Sequence, residues 1–240
     1  MEKLHLPQFN SVSGEVLIPG SKSISNRILL LAAMAKGETL IHNLLTSDDT
    51  ERMKEALITL GIKLKEVNKA TESFLVEGSE EGFPVKEAEL FLGNAGTAFR
   101  SLTAVLAVNE GEYQLSGIPR MHERPIGDLV EALNYLGLKV EYLKNRGYPP
   151  LKISTAEIKH DEVSVKGDVS SQYLTALLMA LPKLKQKLTI KIDGELISKP
   201  YIDITLTLLK EFGVEITHHN YQEFFIPQDA TFTSPGEFYV

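Results

Sequence analysis

The 240-residue sequence predicts an α/β (α+β) fold of three βαβαββ repeats with pseudo-threefold symmetry, buried parallel helices inside and sheets outside. Three observations predict it. First, "EALITLGIKLKE" from Glu55, "EALNYLGLKVEY" from Glu131 and "TLLKEFGVEITH" from Thr207 align without a gap and start 76 residues apart in each case. Each reads as the end of an amphipathic helix, a glycine suited to the left-handed conformation that stops it (Gly61, Gly137, Gly213), and an alternating strand. Second, Ile24 to Ala35, Ala98 to Val108 and Tyr173 to Leu181 carry few polar side chains on any face, which marks buried helices. Third, three such units nearly exhaust the chain, so the repeats form one domain rather than separate ones.

Outward from those anchors each unit reads strand, apolar helix, strand, amphipathic helix, strand, strand. In the first unit these are Glu15 to Ile18, Ile24 to Ala35, Thr39 to His42, Asp48 to Leu60, Ile62 to Glu66 and Ser73 to Val76. The second unit starts near Glu89 and the third near Glu162, giving repeats of about 20–85, 86–158 and 159–235. Ser47 followed by Asp48 and Asp49 starts the second helix of the first unit, and Pro125 and Pro200 are first-turn prolines in the others. Met53, Ala56, Leu57 and Leu60, like Ile126, Leu129, Val130, Leu133 and Leu136, draw one apolar stripe, so these helices lie half exposed.

Composition excludes several function classes. With 43% hydrophobic and 24% charged residues the chain is an ordinary globular protein, not a disordered one. It has no Cys, which removes disulfides, thiolate metal sites and a cysteine nucleophile and fits a reducing compartment. The six His residues lack metal-ligand spacing, and His218 with His219 flanks a strand end, so no metal site is expected. No apolar run has signal-peptide or membrane-span character, which predicts a cytoplasmic protein with no membrane partner. A pI near 5.5 without a basic block argues against nucleic acid as a partner. Any anionic ligand must be small and locally held.

Three helix mouths are suited to hold one. "PGSKSISNR", "LGNAGTAFR" and "GDVSSQY" precede the buried helices, and residues of these types cap helix starts and leave backbone N–H groups open. Parallel helices would aim three positive dipole ends at one surface, each worth only about 0.3 to 1 kcal/mol to an anion, so cations must be added. Lys22 and Arg27 stand at the first mouth, Arg120, His122 and Arg124 precede a helix in the second unit, and Ser198, Lys199 and Tyr201 stand at the matching place in the third. Guanidinium groups suit bidentate carboxylate or phosphate contacts, whereas Lys is a compact charge and proton donor. Taken singly each feature has a plainer reading. "PGSKS" can be a cap with a solvated Lys, and Ser170 with Ser171 an N-cap pair. Asn94 can hold its own loop, Arg100 and Arg120 can cap carbonyls or pair with acids, and Gly93 with Gly96 matches no nucleotide fingerprint. Their recurrence at equivalent points of a repeat favours a site for a ligand carrying phosphate and carboxylate.

As a set, "PGSKSISNR", "LFLGNAGTAFR", "PRMHERPIGDLV", "YPPLKI", "VSSQYLTALLMALP" and "SKPYIDITL" resemble the signature segments of the 5-enolpyruvylshikimate-3-phosphate synthase family, in order, from about Leu4 to Val240. The resemblance implies a two-lobed enzyme of aromatic amino acid biosynthesis, each lobe an inside-out barrel of three βαβαββ units with ligands in the cleft between lobes. It transfers the enolpyruvyl group of phosphoenolpyruvate to the 5-hydroxyl of shikimate 3-phosphate, releases phosphate and needs no cofactor. Carried over by motif, Lys22, Ser23 and Arg27 meet shikimate 3-phosphate, with Arg27 on its carboxylate. Ser170, Ser171 and Ser198 hold its phosphate, and Gln172 and Tyr201 line the ring. Lys22, Gly96, Thr97, Arg124 and Gln172 meet phosphoenolpyruvate, and Lys22 is the implied catalytic residue, a candidate for proton transfer.

Two departures from that pattern matter. Ser101 stands where the family usually has Pro and Phe99 where it usually has Met; since a first-turn Pro fixes a helix entry, weakened binding of glyphosate is the expectation. The family is nearly twice as long, so the resemblance implies an N-terminal lobe, with residues 1–19 a strand segment packing against an absent second lobe. The expectation is a folded half, binding shikimate 3-phosphate weakly and nearly inactive alone. The sister transferase acting on a UDP-amino sugar is the enzymatic alternative, disfavoured by the lack of Cys and by "SKPYIDIT". A binding-only half needing a complementing lobe, or a scaffold whose mouths merely cap helices, are the others.

Overall fold

The computed structural model describes residues 3–5, 7–16 and 18–240. Its elements follow the repeat. The first unit holds α1 (Lys22–Met34), β1 (Glu38–His42), α2 (Asp48–Thr59), β2 (Lys63–Asn68) and β3 (Ser73–Glu77). The second holds β4 (Glu87–Phe91), α3 (Gly96–Ala107), β5 (Glu112–Ser116), α4 (Gly127–Tyr135), β6 (Lys139–Tyr142) and β7 (Leu151–Ser154). The third holds β8 (Glu162–Lys166), α5 (Ser171–Ala180), β9 (Leu188–Asp193), α6 (Lys199–Glu211), β10 (Thr217–His219) and β11 (Glu223–Ile226), and β12 (Glu237–Tyr239) follows.

There are three four-stranded sheets, one built on each unit with β12 completing the first, and they share one strand order: β12-β1-β3-β2, β4-β5-β7-β6 and β8-β9-β11-β10. The first pair in each is parallel and the other two are antiparallel. Every sheet alternates along its strands, as in the buried Val163 and Val165 of β8 between exposed Glu162, Ser164 and Lys166, so one face packs inward and the other meets water. Helices α1, α3 and α5 fill the interior. Leu29, Leu30, Leu31, Ala32 and Ala33 of α1 have no exposed surface at all, and Leu102, Ala104 and Val105 of α3 and Leu177, Leu178 and Met179 of α5 match them. A helix apolar on every side must be covered on every side, and the three sheets with α2, α4 and α6 supply that cover.

Gly61, Gly137 and Gly213 take φ of 90°, 104° and 81°, the positive values that let each amphipathic helix turn into its strand. Ser47 caps α2 in a reciprocal box with Thr50. Pro200 lies in the first turn of α6, but Pro125 does not start α4: that helix begins at Gly127 behind Ile126, because the backbone of 121–124 first closes a separate 3₁₀ turn. Ser101 is the sixth residue of α3, in its second turn. A proline there would not fix the entry as expected; it would remove an N–H from the helical ladder and kink the helix.

A second difference concerns the first strand of the first unit. Glu15, Val16 and Ile18 belong to no strand and are exposed, and Leu17 lies outside the described residues, as do Met1, Glu2 and Leu6. The slot beside β1 is filled from the far end of the chain: β12 runs parallel to it with Leu40 opposite Glu237, Ile41 opposite Phe238 and His42 opposite Tyr239. A strand exists only where its backbone groups find a partner, and β12 has already taken this edge. Val240 donates to His42 O at 3.1 Å and accepts from Asn43 Nδ2 at 3.0 Å, beside Gly20. Gly20 and Val240 therefore lie side by side.

Candidate anion-binding site

A cavity of about 500 Å³ gathers the N-terminal ends of the buried helices: Lys22, Ser23 and Arg27 from α1, Gly96 and Thr97 from α3, and Ser170, Ser171 and Gln172 at α5. The first turn of α6 adds Ser198 and Tyr201, and the segment before α4 adds Arg124. Every one of the expected ligand residues thus lines one hollow.

The mouths are not equivalent. Ser21 caps α1 by accepting from Ile24 N at 3.4 Å, and Ser170 caps α5 by accepting from Gln172 N at 3.2 Å. Among the described residues no side chain caps α3, whose first turn therefore presents amide hydrogens to the cavity. Ser198 precedes α6 in the left-handed conformation, φ 57° and ψ 37°, and its hydroxyl caps nothing. Such a backbone costs a non-glycine residue about 1 to 3 kcal/mol and recurs where a side chain must be aimed at a ligand.

Among the described residues three cations face the hollow against one carboxylate, Asp49. Arg27 is only 3% exposed. Its Nε donates to Thr205 Oγ1 at 2.9 Å, Nη2 to Thr175 Oγ1 at 3.2 Å and Nη1 to Ser23 O at 2.8 Å. Burial pulls its pKa down to about 10, against a smaller opposing effect of Tyr201. Arg124 is held differently: Nη1 donates to the carbonyl of Asn94 at 2.7 Å. Its guanidinium lies close over Gly96, so that a Cβ there would push the arginine tip aside. Lys22 is half exposed, with Nζ 3.7 Å from Asp49 Oδ1.

Arg100 does not reach the cavity. It is buried under the α3 mouth, donates to Gly96 O at 3.1 Å and Pro125 O at 3.0 Å, and lies over the Tyr173 ring, whose hydroxyl donates to the same Pro125 carbonyl at 2.8 Å. Burial lowers its pKa and raises that of Tyr173. Arg120 points to solvent and pairs with Glu123 at 2.6 Å, and Lys199 lies over Tyr221. Asn94 holds its loop, as its residue type suggests, and through its carbonyl also holds Arg124. Sequence reading missed Asp49, Val169 and Ile197 as cavity residues. Asp49 had a signal, a carboxylate in a helix first turn, but that position is common for acids with no ligand at all. Among the described residues no group of three His, Cys, Asp or Glu side chains is placed to hold a metal ion, and no helix is long and apolar enough to cross a membrane.

Residues 7–240 match the family described as EPSP synthase (3-phosphoshikimate 1-carboxyvinyltransferase). The chain is 54% identical to the 3-phosphoshikimate 1-carboxyvinyltransferase of Burkholderia lata, over the whole chain and 56% of that protein. It is 51% identical to that of Nitrosomonas europaea, over the whole chain and 55% of the relative. It thus spans about half the length of the curated relatives it matches. Among solved structures, EPSP synthase from Acinetobacter baumannii superposes with a TM-score of 0.83 at 20% identity, covering 95% of this chain and 50% of that one. The enolpyruvyl transferase NikO from Streptomyces tendae gives 0.65 at 16% identity, covering 96% of this chain and 52% of that one. Both likenesses concern the fold.

Proposed function

The chain belongs to the EPSP synthase (3-phosphoshikimate 1-carboxyvinyltransferase) family, and from that premise we propose that it is the shikimate 3-phosphate-binding lobe of an enzyme that transfers an enolpyruvyl group. The observation that carries the reading is the convergence of three helix mouths and three cations on one cavity of about 500 Å³. In a chain of net charge -7, such a concentration of positive potential selects small anions. Arg27 takes the shikimate carboxylate through the N–H groups left free on Nη1 and Nη2. Ser23, Ser170, Ser171 and Ser198 take the 3-phosphate, and Gln172 and Tyr201 flank the ring. Phosphoenolpyruvate lies against the open amides of Gly96 and Thr97, with Arg124, Lys22 and Gln172 around it.

The reaction adds the 5-hydroxyl oxygen to C2 of phosphoenolpyruvate as the hydroxyl proton leaves and C3 gains a proton; loss of a C3 proton together with departure of phosphate from C2 then restores the double bond. Lys22, half exposed between the two substrates, is the group of this lobe suited to carry that proton. The opposing wall is the work of a second lobe, against which residues 1–19 pack. Leu4, Phe9, Val12, Val16 and Ile18 are 70–88% exposed, which is apolar surface in want of a partner. On this reading the chain alone binds shikimate 3-phosphate and turns over almost no substrate.

Titration of the chain with shikimate 3-phosphate, followed by amide NMR, is expected to move Ser23, Ser171 and Ser198 together. Mixing with a second-lobe fragment is expected to restore phosphate release. A scaffold gives no localised shifts, and full activity of the chain alone would refute the half-site reading. Ser101 also bears on inhibition: with an unbroken α3 in place of a kinked one, the Gly96 and Thr97 amides sit differently toward glyphosate. Ser101→Pro is expected to tighten glyphosate binding in the presence of shikimate 3-phosphate, and an unchanged constant removes the idea.

A further inference from the structure

Arg27 pairs with no carboxylate among the described residues, although it is nearly fully buried. What stands along one edge of its guanidinium is a pair of neutral hydroxyls. Nε and Nη2 donate to Thr205 Oγ1 and Thr175 Oγ1, and these two oxygens are 3.2 Å apart. That is the side edge on which arginine ordinarily takes both oxygens of one carboxylate.

The proton positions on this edge follow from counting. A threonine hydroxyl has one hydrogen. Thr205 gives its hydrogen to Tyr201 O at 2.8 Å, so it can only accept from Thr175. Thr175 therefore donates to Thr205, and both oxygens accept from Arg27. Every hydroxyl hydrogen is used and both acceptors point at the cation. Thr175 comes from α5 and Thr205 from α6, both of the third unit, while Arg27 comes from α1 of the first. The two side chains are 1% and 0% exposed, so no water competes for these bonds.

We propose that Thr175 and Thr205 are positioning residues for substrate binding: a neutral seat that fixes the plane of Arg27 and leaves its charge uncancelled for the ligand carboxylate. This rests on the assignment of Arg27 to that carboxylate. An acid in the seat would hold the same edge but neutralise it, and the incoming carboxylate would then meet a compensated pair. A threonine that merely back-bonds to its own helix, as Thr205 does to Tyr201, is common. Thr175 makes no such back-bond, and two threonines 30 residues apart that turn their oxygens onto one guanidinium edge are not explained by helix packing.

The test uses the 240-residue chain with Thr205→Val, which keeps shape and removes the oxygen, and Thr205→Ser, which keeps the oxygen. Affinity for shikimate 3-phosphate is expected to fall about tenfold in Thr205→Val, the scale of a lost hydrogen bond to a charged group. Affinity for the carboxyl methyl ester of the same ligand is expected to hold, and Thr205→Ser to return to the parent value. Without ligand, the Arg27 Nε–H signal is expected to be slow to exchange in the parent and in Thr205→Ser and to broaden in Thr205→Val. Equal losses for acid and ester, or an unaltered Nε–H signal, overturn the seat. If the parent binds neither ligand, the functional reading fails while the Nε–H comparison still decides the seat. Should Thr205→Val not fold, Thr175→Val removes the other oxygen, with the same acid-against-ester comparison and with the exchange readout moved to the Arg27 Nη2 hydrogens that Thr175 accepts; equal losses or unaltered Nη2 signals then overturn the seat.

Discussion

Arg27→Met is expected to lower affinity for shikimate 3-phosphate by at least about a hundredfold and to leave the thermal midpoint unchanged or higher. The loss follows from two charge-assisted hydrogen bonds to a carboxylate, each of the order of 1.5 to 3 kcal/mol when the partner would otherwise be stranded. The stability effect has the opposite sign. Arg27 is buried without a counter-charge among the described residues, and burial holds its pKa at about 10, below that of a free side chain. A cation whose folded pKa is depressed costs stability at every pH below that value, and the cost is relieved only as pH rises above about 10. At neutral pH it amounts to about 3 kcal/mol, partly offset by the bonds to Thr205, Thr175 and Ser23. Methionine fills the space without that cost, and the Thr175 to Thr205 to Tyr201 chain of hydrogen bonds remains intact. Calorimetry for binding and a thermal melt for stability check the pair of outcomes. A variant that binds within twofold of the parent would remove Arg27 from the site.

Deleting residues 236–240 is expected to destabilise the lobe by about 3 to 5 kcal/mol, with the loss centred on the first unit. The deletion removes β12 and with it the parallel ladder to β1, the bond from Leu40 N to Gly236 O at 2.8 Å and that from Val240 N to His42 O at 3.1 Å. It also removes Tyr239, stacked on His42 at 4.3 Å, and the partly buried Phe238 and Val240. Each backbone bond contributes about 1 kcal/mol net, and β1 is left as an open edge. Denaturant unfolding would measure the total, and amide exchange at Leu40 and His42 would localise it. A midpoint unmoved by the deletion would mean that β12 is a passive neighbour of β1.

Much of this fold is legible in the order of residues alone, for reasons that lie in particular side chains. Apolar character on every side of Leu29 to Ala33 admits only a buried helix, and glycine after each amphipathic stripe marks a helix end at Gly61, Gly137 and Gly213. The site is legible in part, because Lys22, Arg27, Gly96, Arg124, Ser170 and Ser198 recur at matching points of the repeat. Arg100 and Arg124 share a type and almost a motif, yet one underpins the α3 mouth from below and the other faces the cavity. Nothing in their neighbours along the chain separates the two.

What the sequence by itself determined is the repeat, the burial of α1, α3 and α5, and the residue types at three helix starts. These depend on periodicity and local backbone preference, which act over a few residues. Only the tertiary structure decided that β12 rather than Glu15, Val16 and Ile18 completes the first sheet, that Asp49 enters the cavity, that Ser198 is held in a left-handed turn, and that Thr175 and Thr205 meet on one edge of Arg27. Each of those outcomes is a contact between residues far apart in the chain. Such contacts are settled by which partner reaches a vacant edge or an unpaired donor once the core has closed.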